Sequence, residues 1–282
     1  YNFKELKIEI SKINNLKWIT DHSDTEVILN AYLTWGIDCI KKFNGMFAIA
    51  IYDERSQKPI LHLIRDRIGI KPLYLTLSKN NEWVFSSEIK SILHHPHVKK
   101  EMNQNSLSHY LTFIVSPPPT TLYKDIYKIP AGHRIEINFS GEAKSLKWWD
   151  CLPNRENTLT VDDISESESI DKLEELLRKS IERRMLSDVN FGVLLSGGVD
   201  SSIIAAMMSQ LHNNKINSFT IGYENHGENE FKEAQHVSNL YNTNHHEIKI
   251  NEKDVLKSLP EIVNFLDEPI ADNVCIPLYH LS

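Results

Sequence analysis

The run Leu194-Leu195-Ser196-Gly197-Gly198-Val199-Asp200-Ser201-Ser202 places three hydroxyls, two adjacent glycines and one carboxylate within nine residues. An apolar, strand-like segment (Asn190–Leu195) precedes it and an apolar, helix-like one (Ser202–Leu211) follows, so its backbone N–H groups fall at a helix start. Such a junction is an anion site. Gly197 and Gly198 permit positive φ and close approach of backbone to ligand. Ser196, Ser201 and Ser202 add short hydroxyl donors. No Gly-Lys-Ser/Thr follows, so the loop is not the usual one for γ-phosphoryl transfer. Asp200 would repel a phosphate unless a divalent cation lay between them, and Mg²⁺ held by one or two carboxylates plus substrate phosphates is the ordinary solution. The plainer alternative is a Ser/Gly-rich helix start with Asp200 and Ser201 serving the helix dipole. The match of strand, glycine pair, carboxylate, serine pair and helix favours the ligand loop.

The elements that position this loop are legible in the period of the apolar residues. Helical periods over Asp171–Leu186, Ser202–Leu211, Asn229–Leu240 and Glu252–Phe265 alternate with strand-like runs Asn190–Leu195, Ile216–Tyr223 and His246–Ile250. That alternation predicts βαβ units and a parallel sheet. The first half reads differently. Phe47–Asp53, Ile60–Asp66, Leu73–Leu77 and Trp83–Ser86 are predicted strands joined by short turns, hence an antiparallel meander. Gly132–Phe139 and Ala143–Trp149 add two more, beyond an extended Ser116-Pro-Pro-Pro segment. Ser23–Trp35 reads as a helix opened by a Ser23/Glu26 capping box. The polar, acidic stretch 156–169 is assigned as a linker, separating a first domain, 1–155, from a second, 170–282.

Composition excludes several classes. With 41% hydrophobic and 24% charged residues the chain is neither disordered nor of low complexity. Its apolar runs stop short of the ~18 residues of a membrane span. A net charge of −7 argues against general nucleic-acid binding while allowing a local phosphate site. Three widely spaced cysteines, Cys39, Cys151 and Cys275, form no disulfide framework, so a reducing cytoplasm is expected. The paired His245-His246 would point to opposite faces of a strand and so not share a metal. Histidines 94, 95 and 97 around Pro96 read as a surface turn.

SGGVDSS resembles the signature of the pyrophosphate-loop ATPases, which adenylate a substrate by cleaving ATP between its α and β phosphates. A wider set, in order, covers essentially the whole chain: SDTEVILNAYLTWG, NGMFAIAIYDE, RDRIGIKPLY, SSEIKSIL, PPPTTLYKDIYKIPAGH, SGGVDSS, SFTIGYEN, NHHEI and DEPIADN. It is similar to the glutamine-hydrolysing asparagine synthetase family. The resemblance implies an N-terminal αββα sandwich of the Ntn-type glutaminase class, followed by an α/β parallel-sheet pyrophosphate-loop domain that binds adenine nucleotide. It implies that ATP adenylates aspartate to β-aspartyl-AMP plus pyrophosphate, and that ammonia from glutamine then gives asparagine, AMP and glutamate. Residue by residue, Leu195, Ser196, Gly197, Gly198, Val199, Asp200, Ser201, Ser202 and Ile221 would bind ATP. Asp200 would be the catalytic carboxylate of that half, holding pyrophosphate through Mg²⁺. Asp24 would bind the glutamine α-amino group, and Met46 would line an ammonia tunnel. No cysteine here matches the family's glutaminase nucleophile, and the chain reads as incomplete at both ends. Roles for Asp267, Glu268 and Asp272 do not follow from the resemblance. The implied partners are aspartate, glutamine and ATP, with no nucleic acid or membrane, and a homodimer is admitted. The rivals are a ligase of the same scaffold with another carboxylate acceptor, such as a β-lactam synthetase or a polysaccharide- or peptide-modifying enzyme, and a non-catalytic nucleotide-binding relative.

Overall fold

The computed structural model describes residues 1–14, 16–152, 158–160, 162–224 and 230–282. The chain divides into two compact units, Tyr1–Pro153 and Asn154–Ser282. Among the described residues no helix is long and apolar enough to cross a membrane.

In the first unit, helices α1 (Phe3–Ile13) and α2 (Asp24–Trp35) precede seven strands: β1 (Ala48–Asp53), β2 (Ile60–Arg65), β3 (Tyr74–Leu77), β4 (Trp83–Ser86), β5 (Ile126–Lys128), β6 (His133–Ile137) and β7 (Ala143–Lys147). Helices α3 (Ile89–Leu93) and α4 (Gln104–Phe113) lie between β4 and β5. Two antiparallel sheets result, ordered β1-β2-β6-β7 and β4-β3-β5. Successive residues of a strand face opposite ways, and β2 shows the consequence. Leu63 packs with Leu75, Ile135 and Ile137 between the sheets, whereas Ile64 packs with Leu6, Ile10, Val27 and Ala31 beneath α1 and α2. On the far side, Ile89 and Ile92 of α3 cover Ile126, Tyr74 and Val84.

The expected meander breaks between β2 and β3, which belong to different sheets; β2 instead pairs with β6, placing Leu63 opposite Ile135. The cause is the turn itself. The Arg65 guanidinium donates to the carbonyls of Lys71 (2.8 Å), Gly69 (2.6 Å) and Ile129 (2.6 Å). The Asp66 carboxylate accepts the N–H groups of Ile70 and Lys71, each at 2.9 Å. Segment 66–71 thereby commits these polar groups to a corner rather than to a hairpin. The capping box is also modified. Ser23 accepts from the Glu26 N–H (3.3 Å), but the Glu26 carboxylate reaches back to the N–H groups of Ile19 (2.7 Å) and Thr20 (2.8 Å).

In the second unit, strands β8 (Gly192–Leu194), β9 (Asn217–Tyr223) and β10 (Asn244–Ile250) are parallel, with β9 central. They alternate with α5 (Glu166–Arg184), α6 (Val199–Leu211), α7 (Phe231–Tyr241), α8 (Glu252–Phe265) and α9 (Cys275–Leu281). A core of Ile181, Val193, Leu195, Ala205, Met208 and Ala234 joins α5, α6 and α7 to the sheet. Helix α5 starts inside the segment assigned as linker. Ser165 and Glu168 form a reciprocal capping box, and Glu166 and Glu168 suit the positive end of the helix dipole. The acidity that suggested a linker is therefore partly a helix start. Glu156, Asn157 and Val161 of that linker, and Asn229 at the expected start of α7, lie outside the described residues.

Candidate functional site

Beyond β8 the chain continues extended for one residue: Leu195, 2% exposed, donates its N–H to the Phe219 carbonyl (2.8 Å) and accepts at its own carbonyl from the Thr220 hydroxyl. It then turns at Gly197, whose φ of 81° lies in the left-handed region and whose α-carbon abuts Glu233 and Ala234 of α7. A Cβ there would strike that backbone. Gly198 is the N-cap of α6 and provides no side-chain acceptor for the first turn. Hence α6 begins at Val199, not at Ser202, and Asp200 and Ser201 lie within its first turn.

Two serines shape the loop. The Ser196 N–H reaches the Ser201 hydroxyl (3.2 Å), the two hydroxyls are 2.9 Å apart, and the Gly198 N–H donates to Ser196 Oγ (3.2 Å). Ser201 Oγ donates to the Gly198 carbonyl (3.2 Å). The opening N–H groups of a helix lack intrahelical partners, and a glycine N-cap leaves them to an anion. Asp200 and Val199 are exposed beside them. None of the described hydrogen bonds or ion pairs engages the Asp200 carboxylate. One exposed carboxylate beside these N–H groups would suit Mg²⁺ held mainly by the phosphates of a ligand. Among the described residues no group of three or more His, Cys, Asp or Glu could hold a metal by itself. The Ser202 hydroxyl is buried without a partner.

The structure separates Leu195 from Ile221. Leu195 and Val193 pack into the helical core, and Val193 is in register with the buried Ser218. By the alternation of β9, Ile221 faces the other side. A ligand lying over Ile221 would meet Leu195 through its backbone. On the Ile221 side, Tyr223 borders a cavity of about 530 Å³ at the carboxyl ends of β9 and β10, with Glu224, Asn251, Glu252 and Asn273. Open α/β sheets bind ligands at such ends. This cavity excludes the loop residues. Thr220 and Glu233 buttress the loop from 25 and more residues away in sequence, a distance across which local patterning carries no signal. His245 reaches Ser218 Oγ (2.8 Å) and His246 stacks on Phe219 (ring centroids 5.0 Å apart), so the pair diverges as expected. Asp272 accepts from the Val274 N–H (3.0 Å), ahead of α9.

In the first unit, Asp24 is the exposed first residue of α2; Thr25 donates to its carboxylate (3.4 Å) and the Tyr1 hydroxyl to its carbonyl (2.5 Å). Met46 is 37% exposed, between Gly45 and the buried Phe47. All three cysteines are free. Burial, then the charge of Asp38, pushes the Cys39 thiol up to about 12.

Comparison with known proteins follows the same division. The glutamine amidotransferase domain family matches residues 1–149, and the asparagine synthase family matches residues 172–282. A putative glutamine-hydrolyzing asparagine synthetase 2 of Methanocaldococcus jannaschii is 32% identical, the match covering all of this chain and 53% of that protein. Asparagine synthetase 1 of Bacillus subtilis is 30% identical over the whole chain and 43% of its own length, and the Zea mays enzyme is 29% identical over 95% and 40%. The chain thus spans about half the length of the curated relatives it matches, or somewhat less. Since the first match alone spans more than half of the residues and the second follows it in chain order, the chain belongs to the glutamine amidotransferase domain family, joined here to an asparagine synthase domain.

Proposed function

We propose that this chain is part of a glutamine-dependent asparagine synthetase. The observation that carries the reading is the α6 start: a bare glycine cap, first-turn N–H groups and the exposed Asp200 at the end of a parallel strand. The loop 195–202 binds the pyrophosphate portion of ATP, with Ser196 and Ser201 holding its shape. Asp200 would hold Mg²⁺, which would supply positive charge against the departing pyrophosphate. The β-carboxylate oxygen of aspartate forms a bond to the α-phosphorus as the bond to pyrophosphate breaks. Ammonia then attacks the acyl carbon of the mixed anhydride, AMP leaves, and a proton is lost from nitrogen. A carboxylate is a poor electrophile; its anhydride with AMP has a good leaving group. Ile221 and the Leu195 backbone border the adenosine.

The first unit, with helices against one sheet and a short helix against the other, supports an αββα glutaminase sandwich. Asp24, exposed at the start of α2, binds the glutamine α-amino group, and Met46 lines the route by which ammonia leaves. The domains are taken as 1–155 and 170–282, and the enzyme acts in the cytoplasm. The test uses protein expressed from the complete reading frame, with pyrophosphate and glutamate release followed separately. Pyrophosphate release that requires both ATP and aspartate is expected. Release with a different carboxylate, and none with aspartate, would transfer the reading to another acceptor; ATP binding without any release would make the protein a nucleotide-binding relative.

A further inference from the structure

Phe47 is bonded to Asp66 in both directions. Its N–H donates to the Asp66 carboxylate (3.3 Å), and its carbonyl accepts the Asp66 N–H (3.0 Å). The same carboxylate takes the N–H groups of Ile70 and Lys71, and Asp66 is wholly inaccessible to solvent. A buried carboxylate that accepts three backbone donors is an expensive group to place, and removing it strands those donors. On the other side of Met46, Gly45 has a φ of 145° and abuts Tyr1, while the Asn44 N–H is bonded to Asn2 (2.8 Å). Met46 therefore spans two clamps. Met46 is 37% exposed between them, and Asp66 is the clamp on its carboxyl side. Arg65, the preceding residue and also buried, grips the carbonyls of the same corner and ties it to Ile129, and none of its described hydrogen bonds goes to Phe47.

We infer that Asp66 is a positioning residue for ammonia transfer: by clamping Phe47 it fixes the backbone that carries Met46 on the route ammonia takes out of the first unit. The inference rests on the reading of Met46 given above. A loosened Met46 would let ammonia escape to solvent without slowing its production or its use.

The experiment compares Asp66→Ala, Asp66→Asn, Arg65→Lys and Met46→Ala with wild type, each expressed from the complete reading frame. Three rates are read: glutamate release, amide formation from glutamine, and amide formation from added ammonia. In Asp66→Ala, glutamate released per amide formed rises about twofold or more, a modest change in partition, while ammonia-supported synthesis keeps its wild-type rate. Asn retains one acceptor oxygen, so Asp66→Asn falls between Ala and wild type. Arg65→Lys loosens the corner but leaves Phe47 clamped, and its ratio stays at the wild-type value. If Met46→Ala raises the ratio and folded Asp66→Ala does not, the inference is overturned and the Met46 reading stands. If Met46→Ala leaves the ratio unchanged, the Met46 reading itself fails. An equal rise in Arg65→Lys, or Asp66 variants that do not fold, would make Asp66 a purely structural residue and overturn the inference.

Discussion

Gly197 turns with a φ of 81° directly against Glu233, so the loop that opens α6 is seated on the first turns of α7. A residue with a Cβ here meets two obstacles, the left-handed conformation and the α7 backbone. Gly197→Ala is expected to cost about 1–2 kcal/mol for the conformation alone, with further loss as the loop moves off α7. Urea unfolding reads the stability. Pyrophosphate release should drop at least tenfold, or about 1.4 kcal/mol; a variant of wild-type activity would mean that the loop geometry is not used.

Asp200→Asn keeps the size of the side chain and removes the charge. With the cation-holding role proposed for Asp200, the expected loss is roughly a hundredfold or more in pyrophosphate release, with either glutamine or ammonia. Glutamate release should change far less. A loss within about threefold, under 1 kcal/mol, would reduce Asp200 to a favourable first-turn residue of α6.

His62 gives the first unit an acid sensitivity. It is 3% exposed, and its Nδ1 lies 3.2 Å from Arg134, which itself donates to Glu136 (2.6 Å). Burial, then the Arg134 charge, holds its titration below the usual histidine range. In the unfolded chain it takes up a proton near pH ~6.5. Between that value and the lower folded one the unfolded state binds more protons, so stability rises with pH and is lost as pH falls. The melting temperature at pH 5.5 should lie below that at pH 7.5, and His62→Gln should narrow the gap. His245, depressed mainly by burial, adds a contribution of the same sign from the second unit.

Cysteine labelling separates the thiols by environment. Cys151 is exposed, whereas Cys39 is buried with its thiol pushed up to about 12. At neutral pH Cys39 should therefore carry far less thiolate than an ordinary cysteine. Mass spectrometry after brief iodoacetamide treatment should find Cys151 modified and Cys39 intact until the chain is unfolded. Rapid native labelling of Cys39 would contradict the packing beneath α1 and α2.

Ser165 caps α5 and donates its hydroxyl to Glu168 (2.7 Å). Ser165→Ala should lower the stability of the second unit by about 1 kcal/mol, read as a lower urea midpoint. No change would mean that α5 starts elsewhere in solution.

Which segments are strands and helices over much of the chain, and that the second half is a parallel α/β arrangement, is legible in the order of the residues. Periods of 2 and 3.6 are local properties, and the alternation of β8, α6, β9 and α7 is written in them. The strand–glycine–helix junction at 196–202 is legible too, because two glycines, a carboxylate and three hydroxyls are neighbours in the chain. The pairing of β2 with β6 some seventy residues later, and the place of β3 in a second sheet, are set by packing across the fold. The corner signal, Arg65-Asp66, was present as residue types, but its meaning depends on Phe47 and Ile129 reaching it across the fold. The same holds for Glu26, whose carboxylate chose Ile19 and Thr20 over its own helix cap, and for Leu195 and Ile221, whose similar side chains face opposite ways. Backbone preference acts within a few residues, whereas the choice of partner is made by burying apolar faces and satisfying buried polar groups over the whole unit.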